Sequence, residues 1–204
     1  GFALQAARER GVHVTALTVS RAQFDEARNR VSAAGIGERV DIQLRDYREL
    51  EGQWDHAISI EMIEAVGEKY WPVYFDRIAA SLRHGGTFAL QAIVIENRRF
   101  DAYRRSADFI QKHIFPGGAL LSPEILRDRA AQAGLVWKKS NGYGLDYAET
   151  LAQWRNRFDA AADRVAAMNF DERFRRCWSF YLAYCEGGFR AGNIDALQVA
   201  LVKK

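Results

Sequence analysis

The sequence predicts an α/β fold, a mostly parallel twisted sheet with helices on both faces. Short apolar strand patterns alternate with helical ones along the first part of the chain, which implies right-handed crossovers between parallel strands. At 204 residues, with 49% hydrophobic and 27% charged side chains, the chain fits one domain, residues 1–204, with a sizeable core. Polar, acidic and aromatic residues also collect where the apolar runs end, the edge at which open sheets of this kind bind ligands.

The elements follow in order. Gly1 to Ala7 has the pattern of the helix that follows a Gly-rich turn, so the first strand and most of that loop are expected to be absent. Val12 to Val19 is a strand pattern, and Ser20-Arg21-Ala22-Gln23 then gives a capping box that opens a helix to about Ala34, stopped by Gly35. Val40 to Leu44, Trp54 to Ile60 and Thr87 to Ile95 repeat the strand pattern, and Tyr70 to Leu82 supplies a helix before His84-Gly85-Gly86. Residues 96–121 break the rhythm as a basic, aromatic insertion. A helix near Pro123 to Ala133, a strand near Leu135 to Lys139, helices over about 147–168 and 171–190, and a last strand from Ile194 to Lys203 complete the chain.

Composition excludes several classes. No run of about 18 apolar residues occurs, and the chain does not open on a secretory leader pattern, so neither a spanning helix nor a signal peptide is expected and the protein reads as cytoplasmic. A net charge of +3 is too small to argue for nucleic acid. Cys177 and Cys185, eight apart, suit neither a paired metal site nor a disulfide framework, so no metal is expected. Five Trp, eight Tyr and twelve Phe call for large apolar surfaces in a core or a pocket.

The stretch AISIEMIEAVG, residues 57–67, raises the functional question, because it places Glu61 and Glu64 where a buried strand ends. Asp46-Tyr47, Thr18-Val19-Ser20 and Gln91-Ala92-Ile93 occupy equivalent strand ends. Glu61 and Asp46 also have a plainer reading as helix caps or solvent-facing acids, whereas Glu64 sits among Met62, Ile63, Ala65 and Val66.

The stretches LTVSRAQ, LRDYREL, SIEMIEAVG, HIFPGG and YLAYCEGGFRAGNIDALQV together resemble the cyclopropane-fatty-acyl-phospholipid synthases and mycolic acid cyclopropane synthases, from Gly1 to the last strand. The resemblance implies a Rossmann-like class I methyltransferase fold that binds S-adenosylmethionine. It implies that Gly1 is the last glycine of the cofactor loop, that Thr18, Val19 and Gln23 lie along the ribose and methionine, and that Asp46 and Tyr47 lie beside adenine. It implies a methyl transfer to the cis double bond of an unsaturated phospholipid acyl chain, giving a cyclopropane or a methyl or methylene branch. A bound bicarbonate then acts as base, held by Glu64 and Tyr181, with Ile93 at a main-chain position. Gln91 stands where the family pattern has histidine, and it can donate a hydrogen bond but not titrate near neutral pH. Glu61 stands where relatives often carry glycine.

Residues 98–115 place Phe100, Tyr103, Ala107, Ile110 and Ile114 on one helical stripe, with Arg98, Arg99, Arg104, Arg105 and Lys112 around it. Such a helix can roof an acyl channel, lie on an anionic membrane surface, or both. These features point to peripheral attachment at the inner face of the membrane, and they are compatible with a homodimer. Two other functions fit the same fold: an O- or N-methyltransferase of a small metabolite, and a non-catalytic domain that binds lipid or a partner.

Overall fold

Residues 1–52 are organised by one parallel strand pair. They comprise α1 (Phe2–Arg10), β1 (Val14–Thr18), α2 (Arg21–Ala33) and β2 (Val40–Leu44). β1 and β2 pair from Val14 opposite Val40 to Thr18 opposite Leu44, so both carboxyl ends lie at one edge. Ala7, Val31 and Val40 form a small core with Leu4, Ile36 and Ile42. The computed structural model describes residues 1–204, which divide into this unit, Gly1–Gly52, and a second, Gln53–Lys204.

In the second unit, β3 (Trp54–Ile60), β4 (Leu82–Ile95), β5 (Leu135–Gly142) and β6 (Ile194–Lys203) form a four-stranded sheet in the order β3-β4-β6-β5. β3 and β4 are parallel, as the alternation of strands and helices predicts, whereas β6 runs antiparallel to both β4 and β5. The sheet is therefore mixed. The physical reason lies in the segment before β6: α7 (Gly144–Ala160), α8 (Ala162–Ala167) and α9 (Glu172–Arg190) separate β5 from β6, and α7 packs on α9. The chain thus returns to the edge it left and enters β6 in the opposite direction.

Period-two burial in β4 sorts its side chains. Phe88, Leu90, Ala92 and Val94 are buried, so Gln91 and Ile93 share the opposite face. α3 (Trp71–Ser81) buries Trp71, Tyr74, Phe75, Ile78 and Ala79, a 3.6-residue periodicity that follows Pro72 in its first turn. Each of the largest of these side chains contributes about 1.5–3 kcal/mol by leaving water. α9 repeats the pattern with Trp178, Leu182, Cys185 and Phe189, which meet Ala148, Leu151 and Phe158 of α7, Ala196 of β6 and Ile93 of β4. Cys177 and Cys185 are free thiols, and burial pushes Cys185 up to about 12.

The insertion departs from the single helix expected over 98–115. It forms α4 (Asn97–Tyr103) and α5 (Phe109–His113), ahead of α6 (Pro123–Gln132). Asp108 starts α5 through a reciprocal capping box with Gln111, which breaks the stripe before Ile110. Phe100 is buried, Tyr103 accepts from the Leu120 amide at 3.1 Å, and Ala107 is exposed. Arg98 and Arg99 pair with Glu96, and Arg104 pairs with Glu68 while lying over the Phe100 ring, so part of the basic face is neutralised locally.

One close approach fixes the start of β4. A Cβ at Gly86 would stand 2.8 Å from the Arg83 carbonyl oxygen and 3.0 Å from that of Asp55, both backbone atoms. Gly86→Ala is expected to lower the unfolding free energy by about 1–3 kcal/mol, the range for a forced overpacking. Denaturant unfolding checks this, and an unchanged midpoint would mean that the approach is not a constraint.

Candidate active site

The residues expected along a nucleotide cofactor gather at the carboxyl edge of β1 and β2. The Thr18 hydroxyl donates to Gln23 Oε1 at 2.8 Å and accepts from the Ser20 amide at 3.1 Å. Ser20 accepts from the Gln23 amide at 3.3 Å, so the expected capping box is only half formed. The Gln23 side chain turns to Thr18 instead of the Ser20 backbone, which leaves it at the strand end. Val19 is 75% exposed there, an apolar surface at the ligand edge. The Arg45 amide donates to the Thr18 carbonyl at 3.0 Å and holds the two strand ends side by side.

Asp46 and Tyr47 follow β2. Asp46 accepts from the Arg48 amide at 2.9 Å and pairs with the Arg48 guanidinium at 2.6 Å, capping the 3-10 turn Tyr47–Glu49. The same side-chain and backbone bonds hold its carboxyl below the usual carboxylate range. Asp46 thus fulfils its plainer reading as a cap, and its position at the ligand edge is unchanged by it. Gly1 stands at the N-cap of α1. Hydroxyl, amide and carboxylate groups beside an exposed apolar side chain fit the ribose and adenine of a nucleoside cofactor.

The second unit brings the acids together. β3 ends at Ile60, and the 3-10 turn Ile63–Ala65 that follows carries Glu64. Glu64 Oε1 accepts from the Ile93 amide at 2.6 Å, so this main-chain donor serves the carboxylate itself. Its Oε2 is buried without a hydrogen-bond partner. Burial raises the Glu64 carboxyl above its ordinary value, the Ile93 bond and its own backbone amide work against that rise, and the charge of Glu61 adds to it. The Glu64 carbonyl accepts from Ala119 at 2.8 Å, which brings the HIFPGG loop onto this turn. Phe115 of that loop meets Tyr181 edge to face at 6.2 Å.

Tyr181 projects from α9 beside Trp178 at 5.1 Å. Its hydroxyl is pushed up to about 12, first by burial and then by Cys185 and Glu61. Phe170, Phe174 and Trp178 stack in succession toward it, at 4.4 and 5.9 Å. Gln91 differs from expectation: its Nε2 donates to Glu61 Oε1 at 2.7 Å, and its Oε1 accepts from Gln198 at 2.8 Å, directly across the β4–β6 pair. A neighbouring carboxylate therefore claims the amide that was expected to face an anion.

Glu61 also accepts from the hydroxyl of Tyr147, a residue of α7 that the sequence did not single out. Nothing in the spacing of Tyr147, 86 positions away, marks it, although an acid at an apolar strand end demanded some donor. Glu61 has a positive φ of 48°. A non-glycine residue there costs about 1–3 kcal/mol, which accounts physically for glycine being acceptable at such a position. Glu61, Glu64, Gln91, Ile93 and Tyr147 thus form one polar cluster, and the charge of Glu61 reaches Tyr181.

The fold matches solved structures of the class I S-adenosylmethionine-dependent methyltransferases. The cyclopropane synthase MmaA2 from Mycobacterium tuberculosis superposes with a TM-score of 0.89 at 23% identity, over 98% of this chain and 73% of that one. The family model for mycolic acid cyclopropane synthetase matches residues 1–199, and the chain belongs to that family. It is 45% identical over 97% of its length to the tuberculostearic acid methyltransferase UfaA1 of M. tuberculosis, and 34% identical over 98% to the cyclopropane-fatty-acyl-phospholipid synthase of Escherichia coli K12. The chain spans about half the length of these relatives, 47% and 50%.

The raised Glu64 carboxyl makes stability depend on pH with a definite sign. A folded-state value above the unfolded one gives stability that is fully present below the ordinary glutamate range and is lost as pH rises through the folded value. Glu64→Gln cannot lose that contribution. Between about pH 4 and about pH 8, the stability of the variant relative to the parent should therefore rise. Denaturant midpoints at both pH values check this, and a relative stability that falls with pH contradicts it.

Proposed function

We propose that this chain is the catalytic part of an S-adenosylmethionine-dependent enzyme acting on the cis double bond of an unsaturated phospholipid acyl chain. The product is a cyclopropane or a methyl- or methylene-branched chain. The observation that carries the reading is Glu64: a carboxylate with one oxygen bound to the Ile93 amide and the other buried without a partner, on a turn bonded at Ala119 to the segment whose Phe115 meets Tyr181. The names of the two curated relatives above, one a fatty acid methyltransferase and one a phospholipid cyclopropane synthase, support the same substrate class.

Bound S-adenosylmethionine supplies the electrophilic methyl group. Thr18, Val19, Gln23, Asp46 and Tyr47 would hold it at the edge of β1 and β2. The residues of the second unit manage the acyl cation that results. The ring faces of Trp178 and Tyr181 suit positive charge, which their apolar surfaces help to shield from water. The free Oε2 of Glu64 fits a small anion with a hydroxyl group. Bicarbonate is such an anion: Glu64 would accept a hydrogen bond from its hydroxyl group and Tyr181 would donate one to it, and so held it would supply a base for the cation. The Ile93 amide acts through Glu64, which it orients, and Gln91 acts through Glu61.

The stacked run Phe170, Phe174 and Trp178 favours a long apolar substrate over a compact polar metabolite. No helix is long and apolar enough to cross a membrane. Exposed Arg105 and Lys112, beside exposed Phe115, Phe180 and Tyr184, suit peripheral contact with an anionic bilayer.

Expression of the full-length enzyme in a host of known unsaturated phospholipids, with acyl chains analysed by mass spectrometry, tests the reading. The expected result is conversion of monounsaturated chains to cyclopropane or unsaturated branched products one CH2 heavier. Glu64→Gln should retain cofactor binding, turn over about 10- to 150-fold more slowly, the equivalent of about 1.5–3 kcal/mol, and respond less to added bicarbonate. Unchanged acyl chains with the parent enzyme would overturn the substrate, and undiminished turnover in Glu64→Gln would overturn the anchor.

A further inference from the structure

Glu61 is left over once Glu64 has been given the anion. It is one of two non-glycine residues with positive φ, and the other, Asn169, is of a type that tolerates that region. Its amide donates to the Gln91 carbonyl at 2.9 Å, so the β3–β4 pairing continues through its backbone whatever its side chain does. The side chain is held separately. Gln91 Nε2 and the Tyr147 hydroxyl both donate to Oε1, and no bond is made to Oε2. Gln91 is itself fixed by Gln198, and Tyr147 by ring contact with Phe189 at 5.0 Å. Burial and the neighbouring Glu61 keep the Tyr147 hydroxyl protonated, and therefore a donor.

Packing does not require this arrangement, because a glycine would pair the strand equally well and relieve the backbone. A carboxylate at a strained position, preset by two donors on one oxygen and open at the other, is suited to moving a proton. Its place relative to Glu64 is set by β4. Glu61 is bonded to the Gln91 side chain and Glu64 to the Ile93 main-chain amide, and these two residues stand about 7 Å apart along the strand. Two acceptors separated in this way reach different C–H bonds of one cation.

We propose that Glu61 is a second proton acceptor of this site and that it decides which product leaves. The inference rests on the acyl-chain reading above. In the step, a C–H bond of the methylated acyl cation breaks: loss of a proton from the new methyl lets its electron pair form the third C–C bond of a ring, and loss of one from the chain carbon beside the charge forms the C=C bond of a methyl-branched alkene. The proton forms an O–H bond on Glu61 Oε2, giving a neutral acid that returns the proton to water before the next turnover. The anion at Glu64 serves one outcome and Glu61 the other.

The test uses full-length enzyme with Glu61→Gln, Glu61→Gly and Tyr147→Phe, and reads the ratio of ring to branched product together with the thermal midpoint of unfolding. Glu61→Gln keeps the shape and should change the product ratio by at least about fivefold, equivalent to about 1 kcal/mol between the two barriers. Glu61→Gly should change it in the same direction while melting no lower than the parent, so that misfolding cannot explain the result. Tyr147→Phe keeps the carboxylate, and its shift should be smaller and in the same direction. A product ratio equal to that of the parent in both Glu61 variants overturns the proposal, even if total turnover falls, because a merely structural role lowers both products together. A parent that methylates no acyl chain overturns the reading on which the inference rests. In that case the melting of Glu61→Gly still reports separately on the strain, and a midpoint well below that of the parent would mean that Glu61 is there for the fold.

Discussion

A single hydrogen bond, from the amide of Ile93 to Oε1 of Glu64, joins the pieces from which the site is built. It ties the turn after β3 to the face of β4 that meets α7 and α9, and the carbonyl of the same glutamate holds the loop at Ala119. A carboxylate does not enter apolar surroundings unless its interactions offset the loss of water, and here only one oxygen is compensated. The other is a standing cost to the fold. Its persistence is understandable if something binds there during function.

The two glutamates three residues apart have opposite settings. Glu64 is desolvated and has one donor; Glu61 has two donors on one oxygen and a strained backbone. Each is anchored to a different residue of β4 rather than to a flexible loop, Glu61 to the Gln91 side chain and Glu64 to the Ile93 amide. Chemistry that must choose between two C–H bonds needs bases fixed in this way, on rigid elements and braced from behind. Tyr147 braces Glu61 directly, and Gln198 does so through Gln91.

Much of the architecture was legible because it follows from periodicity. The strand pattern Thr87 to Ile95 and the helical stretch over about 171–190 both correspond to elements of the fold, β4 and α9. Asp108 and Gln111 also carried a readable signal, the residues of a capping box, which the longer apolar stripe over 98–115 masked. The direction of β6 could not be read, since an antiparallel return depends on how α7 and α9 pack and not on the strand's own residues. Tyr147 was hidden for a related reason: its role exists only where α7 meets the end of β3. Gln23 was legible as to position but not partner, because Ser20 and Thr18 compete for the same short side chain and the Thr18 hydroxyl wins.

The account stands or falls on Glu64 being a desolvated acid that also feels Glu61. Carbon-13 NMR of the side-chain carboxyl carbons across a pH titration, with the Glu64 resonance assigned by its loss in Glu64→Gln, measures this directly. The predicted midpoint lies above the ordinary glutamate value of about 4.3 and moves down when Glu61→Gln removes the neighbouring charge. A midpoint at or below the ordinary value, indifferent to Glu61, would contradict the burial and the coupling on which the proposed chemistry rests.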